Sequence, residues 1–225
     1  MKTLKQSLPM IITVLFACLC MGLVDAVIQP NYWIKSLIKI ALFLLLPALY
    51  ALYDRSFRIR SLFTPNKRGF LLALLLGGLV YGVVLGAYFL VRGVFDFSAV
   101  AGSVTDAVGV NKGNFLPVAI YISFANSLLE EFFFRGFAFL TLKKTAGRRF
   151  AYLFSSGMFA IYHIAMMIGW FALPVVLLAL LGLFLGGVIF NYFNERYENI
   201  YLSWLIHMFA NFATNTIGFL LFAAG

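Results

Sequence analysis

Charged residues are scarce in this chain of 225 residues, making up only 11% of it, and no long polar stretch separates the apolar ones. A typical soluble domain has about 25% charged and roughly 45–50% apolar residues, whereas 63% of the residues here are hydrophobic. The composition therefore excludes an ordinary soluble globular protein. We expect residues 1–225 to form a single integral membrane domain.

Cysteine is equally rare, with only two residues, Cys18 and Cys20. They lie two positions apart in an apolar run, so on a helix they point to different sides and no disulfide between them is expected. The net charge is +9, but the Lys and Arg residues lie mostly between apolar runs, where they suit membrane anchoring. We therefore expect the lipid bilayer as a partner and no nucleic acid.

Apolar runs of about 20 residues recur along the chain, and each is long enough to cross a bilayer as a helix. They predict an all-α, polytopic transmembrane helix bundle with about seven spans, or eight if another helix or a re-entrant segment lies within 92–113. The fourth run is longer than a bilayer requires and should tilt or project. The first resembles a signal peptide after Lys2 and Lys5, but its length favours a retained helix. The predicted spans are 9–28, 34–53, 70–91, 114–142, 150–168, 172–192 and 199–222.

The distribution of basic residues predicts the orientation. If the N-terminus is cytoplasmic and the spans alternate, twelve Lys and Arg residues fall on the cytoplasmic side and four on the other, with Arg135 inside a span. The positive-inside rule favours this arrangement. The twelve are Lys2, Lys5, Arg55, Arg58, Arg60, Lys67, Arg68, Lys143, Lys144, Arg148, Arg149 and Arg196, and the four are Lys35, Lys39, Arg92 and Lys112.

Three charged residues lie together in the fourth span, where each costs about 2.5–3.5 kcal/mol and so needs a reason. Glu131 and Arg135 are four residues apart and can pair on one helix face. Glu130 is rotated by about 100° and has no cation on its own helix, because Phe134 occupies its i+4 position. A carboxylate of this kind suits a general acid or base. The alternative is that the three charges only lock helices together.

The two histidines of the chain also lie inside predicted spans. His163 is in the fifth, and His207 and Asn211 lie one turn apart on one face of the last. Counted from the cytoplasmic helix ends, Glu130 and His163 lie at ~20 Å, Asn211 at ~16 Å and His207 at ~10 Å. Three spans thus bring polar groups to one band of depth, although each residue alone is also compatible with an interhelical hydrogen bond.

These side chains suit the hydrolysis of a peptide bond. The chain has no plausible Ser–His–Asp arrangement and no HExxH motif. A Glu base with His can activate water, and His207 and Asn211 can stabilise the oxyanion of a tetrahedral intermediate. Glu130, His163 and His207 can also hold a divalent metal. Metal-bound water and Glu-activated water both remain open, and the substrate would be a membrane-associated peptide or protein.

Three motifs in order, each inside a span, resemble those of the CPBP family. This is the CAAX protease and bacteriocin-processing family, also called ABI, which includes the type II CAAX prenyl endopeptidases. The resemblance covers a protease core of about residues 115–220, and the first three spans match only in being apolar. The motifs are Glu130-Glu131-x-x-x-Arg135, Phe159-x-x-x-His163 and His207-x-x-x-Asn211.

The resemblance implies a role for each motif. Glu130 would activate water with the assistance of His163. Glu131 and Arg135 would organise the site, and His207 and Asn211 would bind the oxyanion. Some members of the family are called metalloproteases and others glutamate proteases, so the resemblance implies either a divalent metal such as zinc or none.

The resemblance also bears on location and on alternative functions. Bacterial relatives are implicated in immunity to bacteriocins and in peptide processing, and the compact chain without a targeting extension is typical of bacteria. We therefore expect a multi-pass protein of the bacterial plasma membrane whose substrate is not prenylated. A non-enzymatic immunity or regulatory protein that uses the same polar cluster structurally is one alternative, and a small proton-coupled transporter is another.

Overall fold

The protein is a bundle of helices in the computed structural model, which describes residues 4–54, 57–64, 67–95, 97, 100–167 and 171–224, with backbone only for 4–6, 67, 68 and 224. Lys2 and Arg55, two residues counted for the orientation, lie outside these ranges. Within them every regular element is a helix. The α-helices are α1 (Leu4–Leu23), α2 (Tyr32–Ile40), α3 (Leu46–Tyr53), α4 (Lys67–Val91), α5 (Val100–Val108), α6 (Phe115–Tyr121), α7 (Ser127–Glu130), α8 (Leu140–Thr145), α9 (Arg148–Tyr162), α10 (Ile164–Met167), α11 (Leu173–Tyr197) and α12 (Tyr201–Ala224).

Seven helical segments in the described ranges are long and apolar enough to cross a membrane, which confirms the predicted all-α polytopic bundle. Helix α5 has nine residues, about 14 Å, and is too short to be an eighth crossing. The fourth span is the longest, with 31 residues. The seven are Ser7–Ile28, Tyr32–Tyr53, Gly69–Val91, Phe115–Thr145, Arg148–Met167, Leu173–Tyr197 and Tyr201–Ala223.

Turns of π-helix, in which an N–H bonds to the carbonyl five residues earlier, interrupt the first, second and fourth spans. The sequence predicts an ordinary α-helix after Glu130, and the structure differs from that prediction. The turns there are wider, and the N–H of Leu140 bonds to the carbonyl of Arg135. Such turns are rare and concentrate at functional sites. They are Val24–Ile28, Ala41–Leu45, Ile122–Asn126 and Glu131–Phe139, and a short 3₁₀ turn covers Ile59–Phe63.

The π-helical stretch Glu131–Phe139 is buried along its full length and lies at the centre of the main hydrophobic core. Phe43 of the second span stacks on Phe133 with ring centroids 4.1 Å apart. Phe134 meets Phe159 of α9 edge to face at 5.3 Å. Inside a bilayer such packing contacts, rather than removal from water, hold helices together, and aromatic pairs of this geometry contribute about 0.5–1.5 kcal/mol each. This aromatic core fixes the second, fourth and fifth spans relative to one another.

The first span turns one face toward the same core. Met10, Val14, Ala17 and Met21 recur at spacings of four and three, and each is at most 1% exposed. Residues at these spacings share one face of a helix, whereas the other faces carry exposed apolar side chains such as Leu15 and Leu19, which suit contact with lipid. The first helix is therefore part of the folded bundle.

Close packing of α4 against α12 sets the position of the last span. Gly77 lies so near Phe209 that a Cβ at residue 77 would come within 2.5 Å of Cδ2 of that ring. On another side, α12 contacts the fourth span. His207 is thereby held beside the residues around Glu130.

Candidate active site

Glu130 is the last residue of α7 and is only 2% exposed. One of its carboxylate oxygens, Oε1, forms an ion pair with the ammonium of Lys39 from α2 and accepts a hydrogen bond from Nδ2 of Asn126 at 3.2 Å. Lys39 also donates to Oδ1 of Asn126 at 2.6 Å. Glu130 has no cation at the i+4 position of its own helix, as predicted, and the second span supplies the charge instead. The placement of Lys39 among the basic residues on the non-cytoplasmic side was wrong, because Lys39 is buried inside its span.

His207 lies between the two carboxylates of the site. Its Nδ1 is 2.9 Å from Oε1 of Glu131, and because a carboxylate only accepts, Nδ1 donates. Its Nε2 is 3.6 Å from Oε2 of Glu130, just beyond hydrogen-bond distance. The imidazole thus links Glu131 to the side of Glu130 that Lys39 leaves open.

The guanidinium of Arg135 is fully buried beside Glu131, with Nε 3.5 Å from Oε2, which is the predicted i, i+4 pair. Its Cζ lies 4.0 Å from the ring centroid of Phe159 and 5.2 Å from that of Phe190. Within the described part of the chain, its terminal nitrogens have no hydrogen-bond partner. Contact with two aromatic faces, worth about 2 kcal/mol when desolvated, partly compensates for that.

His163 lies at the break between α9 and α10, so a helix end rather than a helix interior presents its ring. Its Nδ1 is 2.6 Å from the carbonyl oxygen of Phe159. Nδ1 therefore donates, and the neutral ring keeps a lone pair on Nε2. The ring centroid of Phe159 lies 4.7 Å from that of His163 and 5.9 Å from that of His207. His163 also interacts electrostatically with Glu130.

Asn211 fastens the last span to the fourth. Its Nδ2 donates to the backbone carbonyl of Ile122 at 3.0 Å. One turn further along, Nδ2 of Asn215 donates to the carbonyl of Ala119 at 3.1 Å. An Asn amide has two N–H donors, so the bond to Ile122 leaves Asn211 one donor for another acceptor.

The structure brings most of the predicted site residues into one network of ion pairs, hydrogen bonds and ring contacts. Asn211 lies one turn beyond His207 on the same helix and reaches the fourth span through backbone contacts instead. The predicted residues in the network are Glu130, Glu131, Arg135, Phe159, His163 and His207.

Lys39 and Asn126 both contact Glu130, but neither is among the residues predicted for the site. Asn126 precedes Glu130 by four residues, which is the spacing that predicted the Glu131–Arg135 pair. Lys39 lies inside an apolar run, where a cation costs about 2.5–3.5 kcal/mol and so requires a partner. The sequence alone therefore indicates that Asn126 can reach Glu130 and that Lys39 needs a partner. It does not show which residue that partner is.

The arrangement does not fit a metal ion held by Glu130, His163 and His207. Among the described residues, no three His, Cys, Asp or Glu side chains are grouped closely enough to share one ion. The ammonium of Lys39 lies against Glu130, where a second cation would be repelled.

The fold and the site together define a multi-pass membrane protein with a buried glutamate–histidine cluster. Residues 112–213 match the family model described as Type II CAAX prenyl endopeptidase Rce1-like. This match covers a little under half of the chain and contains all three motifs, so the resemblance to the CAAX proteases is confirmed over this segment. Lys39 and the first three spans lie outside it. No curated protein and no solved structure matches the chain.

Proposed function

We propose that the protein is an intramembrane endopeptidase that hydrolyses a peptide bond of a membrane-associated peptide or protein. The observation that carries the proposal is the geometry of Glu130, whose Oε1 is held by Lys39 while Oε2 faces Nε2 of His207 at 3.6 Å. An available carboxylate oxygen beside an imidazole is the arrangement that general-base activation of water requires. The family match supports a CAAX-type intramembrane protease in general.

Glu130 would act as the general base. Its Oε2 takes a proton from water as the water oxygen forms a bond to the carbonyl carbon, and the carbonyl electron pair moves onto oxygen. The C–N bond then breaks, and Glu130 gives the proton to the leaving amine. The products are a carboxylic acid and an amine, and the carboxylate is regenerated. The lone pair of Nε2 on His163 would help to hold the water.

His207 and Asn211 would stabilise the oxyanion of the tetrahedral intermediate. In its doubly protonated form, His207 donates from Nε2, while its Nδ1 stays bonded to Glu131. Asn211 would contribute the N–H that is not bonded to Ile122. Arg135 holds Glu131 from the other side, so the orientation of the imidazole depends on this ion pair.

The test is cleavage by the purified, full-length protein after Glu130→Gln. Suitable probes are a farnesylated CAAX peptide and the same peptide without the lipid, because the matching family is named for a prenyl substrate whereas we propose that the substrate is unprenylated. We expect the variant to lose about 10²–10⁴-fold in kcat. Glu195→Gln is the matched control, since this carboxylate pairs with Arg148 and Tyr152 away from the site. Undiminished cleavage by Glu130→Gln would contradict the assignment.

A non-enzymatic membrane protein, such as an immunity or regulatory partner, is the second candidate. The observation that favours it is that the buried charges pair with one another, as they would in a purely structural lock. That function would survive Glu130→Gln and His207→Ala in a properly folded protein. Loss of function in both variants, with normal membrane insertion, would exclude it.

We further propose a plasma-membrane location in a bacterium with the N-terminus on the cytoplasmic side. The excess of Lys and Arg residues in the segments assigned to the cytoplasm supports this orientation. Because Lys39 is buried in its span, it no longer counts among the basic residues on the non-cytoplasmic side. A reporter fused after Thr145 should be cytoplasmic. If a reporter at this position is active only outside the cell, the proposed orientation is wrong.

A further inference from the structure

Lys39 is a buried cation in the second span and is only 4% exposed. A lysine near the end of a span usually extends its ammonium toward the membrane surface. This one turns inward to the fourth span instead. It also lies outside residues 112–213, so the family match does not include it.

The ammonium of Lys39 is held on several sides. It contacts Oε1 of Glu130 and donates to Oδ1 of Asn126 at 2.6 Å. The ring centroids of Tyr162 and Phe43 lie 5.0 Å and 5.5 Å from Nζ. Two oxygens and two aromatic rings therefore fix the position of the charge.

The contact with Lys39 distinguishes the two oxygens of Glu130. Oε1 is held by Lys39 and by Asn126, which sits one turn earlier on the same span. Oε2 is turned toward Nε2 of His207. A carboxylate fixed at one oxygen presents the other in a single direction, and such preorganisation contributes strongly to catalysis.

We propose that Lys39 is a positioning residue that keeps Glu130 ionised and directs its Oε2 toward His207 and the attacking water. The inference rests on the proposed function, in which Glu130 is the general base. A nearby positive charge favours the carboxylate over its protonated form, and only the carboxylate can take a proton from water. The charged groups around Glu130 are Lys39 of α2 and Glu131 and Arg135 of the same span. The other titratable groups around it are His163 at the end of α9, His207 of α12 and the tyrosines Tyr32, Tyr121 and Tyr162.

Lys35 provides a matched control. It lies one turn before Lys39 on the same helix and pairs with Asp25 at 2.5 Å. Lys35→Met therefore removes the same charge from the same span without touching Glu130.

The first experiment measures cleavage of the farnesylated CAAX peptide and of the same peptide without the lipid by the full-length protein. We expect Lys39→Met to lower kcat at neutral pH by about tenfold or more, to leave KM nearly unchanged, and to move the loss of activity in acid to higher pH by ~1–3 units. Lys39→Arg keeps the charge and should restore most of kcat. Wild-type kcat and pH profile in Lys39→Met, or the same change in Lys35→Met, would overturn the proposal.

The second experiment needs no substrate. Thermal unfolding is measured for Lys39→Met, Glu130→Gln and the double variant. Lys39→Met should lower Tm in the wild-type background, where it leaves a buried carboxylate unpaired, and much less in the Glu130→Gln background. Equal decreases in both backgrounds would overturn the proposed contact. If the wild-type protein cleaves no peptide, the proposed function fails, whereas this cycle still determines whether Lys39 holds Glu130.

Discussion

Replacement of Arg135 by Met tests whether the charges behind the proposed catalytic residues hold the candidate site together. Methionine keeps much of the volume of the side chain but removes the guanidinium. Glu131 would then lose the cation that lies 3.5 Å from its Oε2, in a region where both residues are fully buried. His207 would remain bonded to a carboxylate with no other partner charge.

The expected loss of stability is large. Removing one partner of a buried ion pair costs about 3–5 kcal/mol, because the other charge stays buried without compensation. The contact of Arg135 with the face of Phe159 at 4.0 Å adds up to about 2 kcal/mol when it is lost. Arg135→Met combined with Glu131→Gln removes both charges and should regain a substantial part of the loss.

The assay is the free energy of unfolding in mixed detergent micelles, followed by helix content. Arg148→Met is the control, since Arg148 pairs with Glu195 at the exposed end of α9, and we expect a much smaller change for it. A loss below about 1 kcal/mol for Arg135→Met, a typical value for an exposed pair, would refute the reasoning. A double variant that is less stable than the single one would refute it too.

Three further predictions concern packing, metal and anchoring. Gly77→Ala places a methyl group against Phe209 and should lower stability by about 1–3 kcal/mol, as measured by thermal unfolding. Chelation should leave the cleavage rate unchanged, because Lys39 lies where Glu130 would bind an ion; an activity that is lost on chelation and restored by zinc would contradict this. Asn215→Ala removes a buried hydrogen bond to the fourth span and should lower stability by about 1–3 kcal/mol with kcat unchanged.

The spans could be predicted from the sequence because an apolar run long enough to cross a bilayer has few other uses. The first was predicted at 9–28 and is Ser7–Ile28. The sixth was predicted to end at 192 but continues to Tyr197. Its last turns contain Asn194, which is buried and donates a hydrogen bond to the hydroxyl of Ser203. A polar residue that is satisfied by a neighbouring helix looks like a span end in the sequence alone.

The motif residues of the site could be predicted because a polar side chain in an apolar span requires a partner or a function. The π-helical turns could not, since the buried stretch Glu131–Phe139 has no local sequence pattern that distinguishes it from an ordinary α-helix. The partner of Lys39 could not be predicted either. The ion pair joins residues 39 and 130, and only the folded bundle determines which helices are neighbours.

The balance of buried charge explains why the second span is part of the site. The segment that matches the family contributes two carboxylates, Glu130 and Glu131, but only one buried cation among them, Arg135. An uncompensated ion in such an environment costs several kcal/mol. Lys39 supplies the missing positive charge from α2, so in the resting site, before His207 takes up the second proton that binding the oxyanion requires, the four charges sum to zero. A divalent metal would leave an excess of positive charge, whereas the loss of Lys39 would leave a negative one, so the matched segment requires the second span for electrostatic balance as well as for packing.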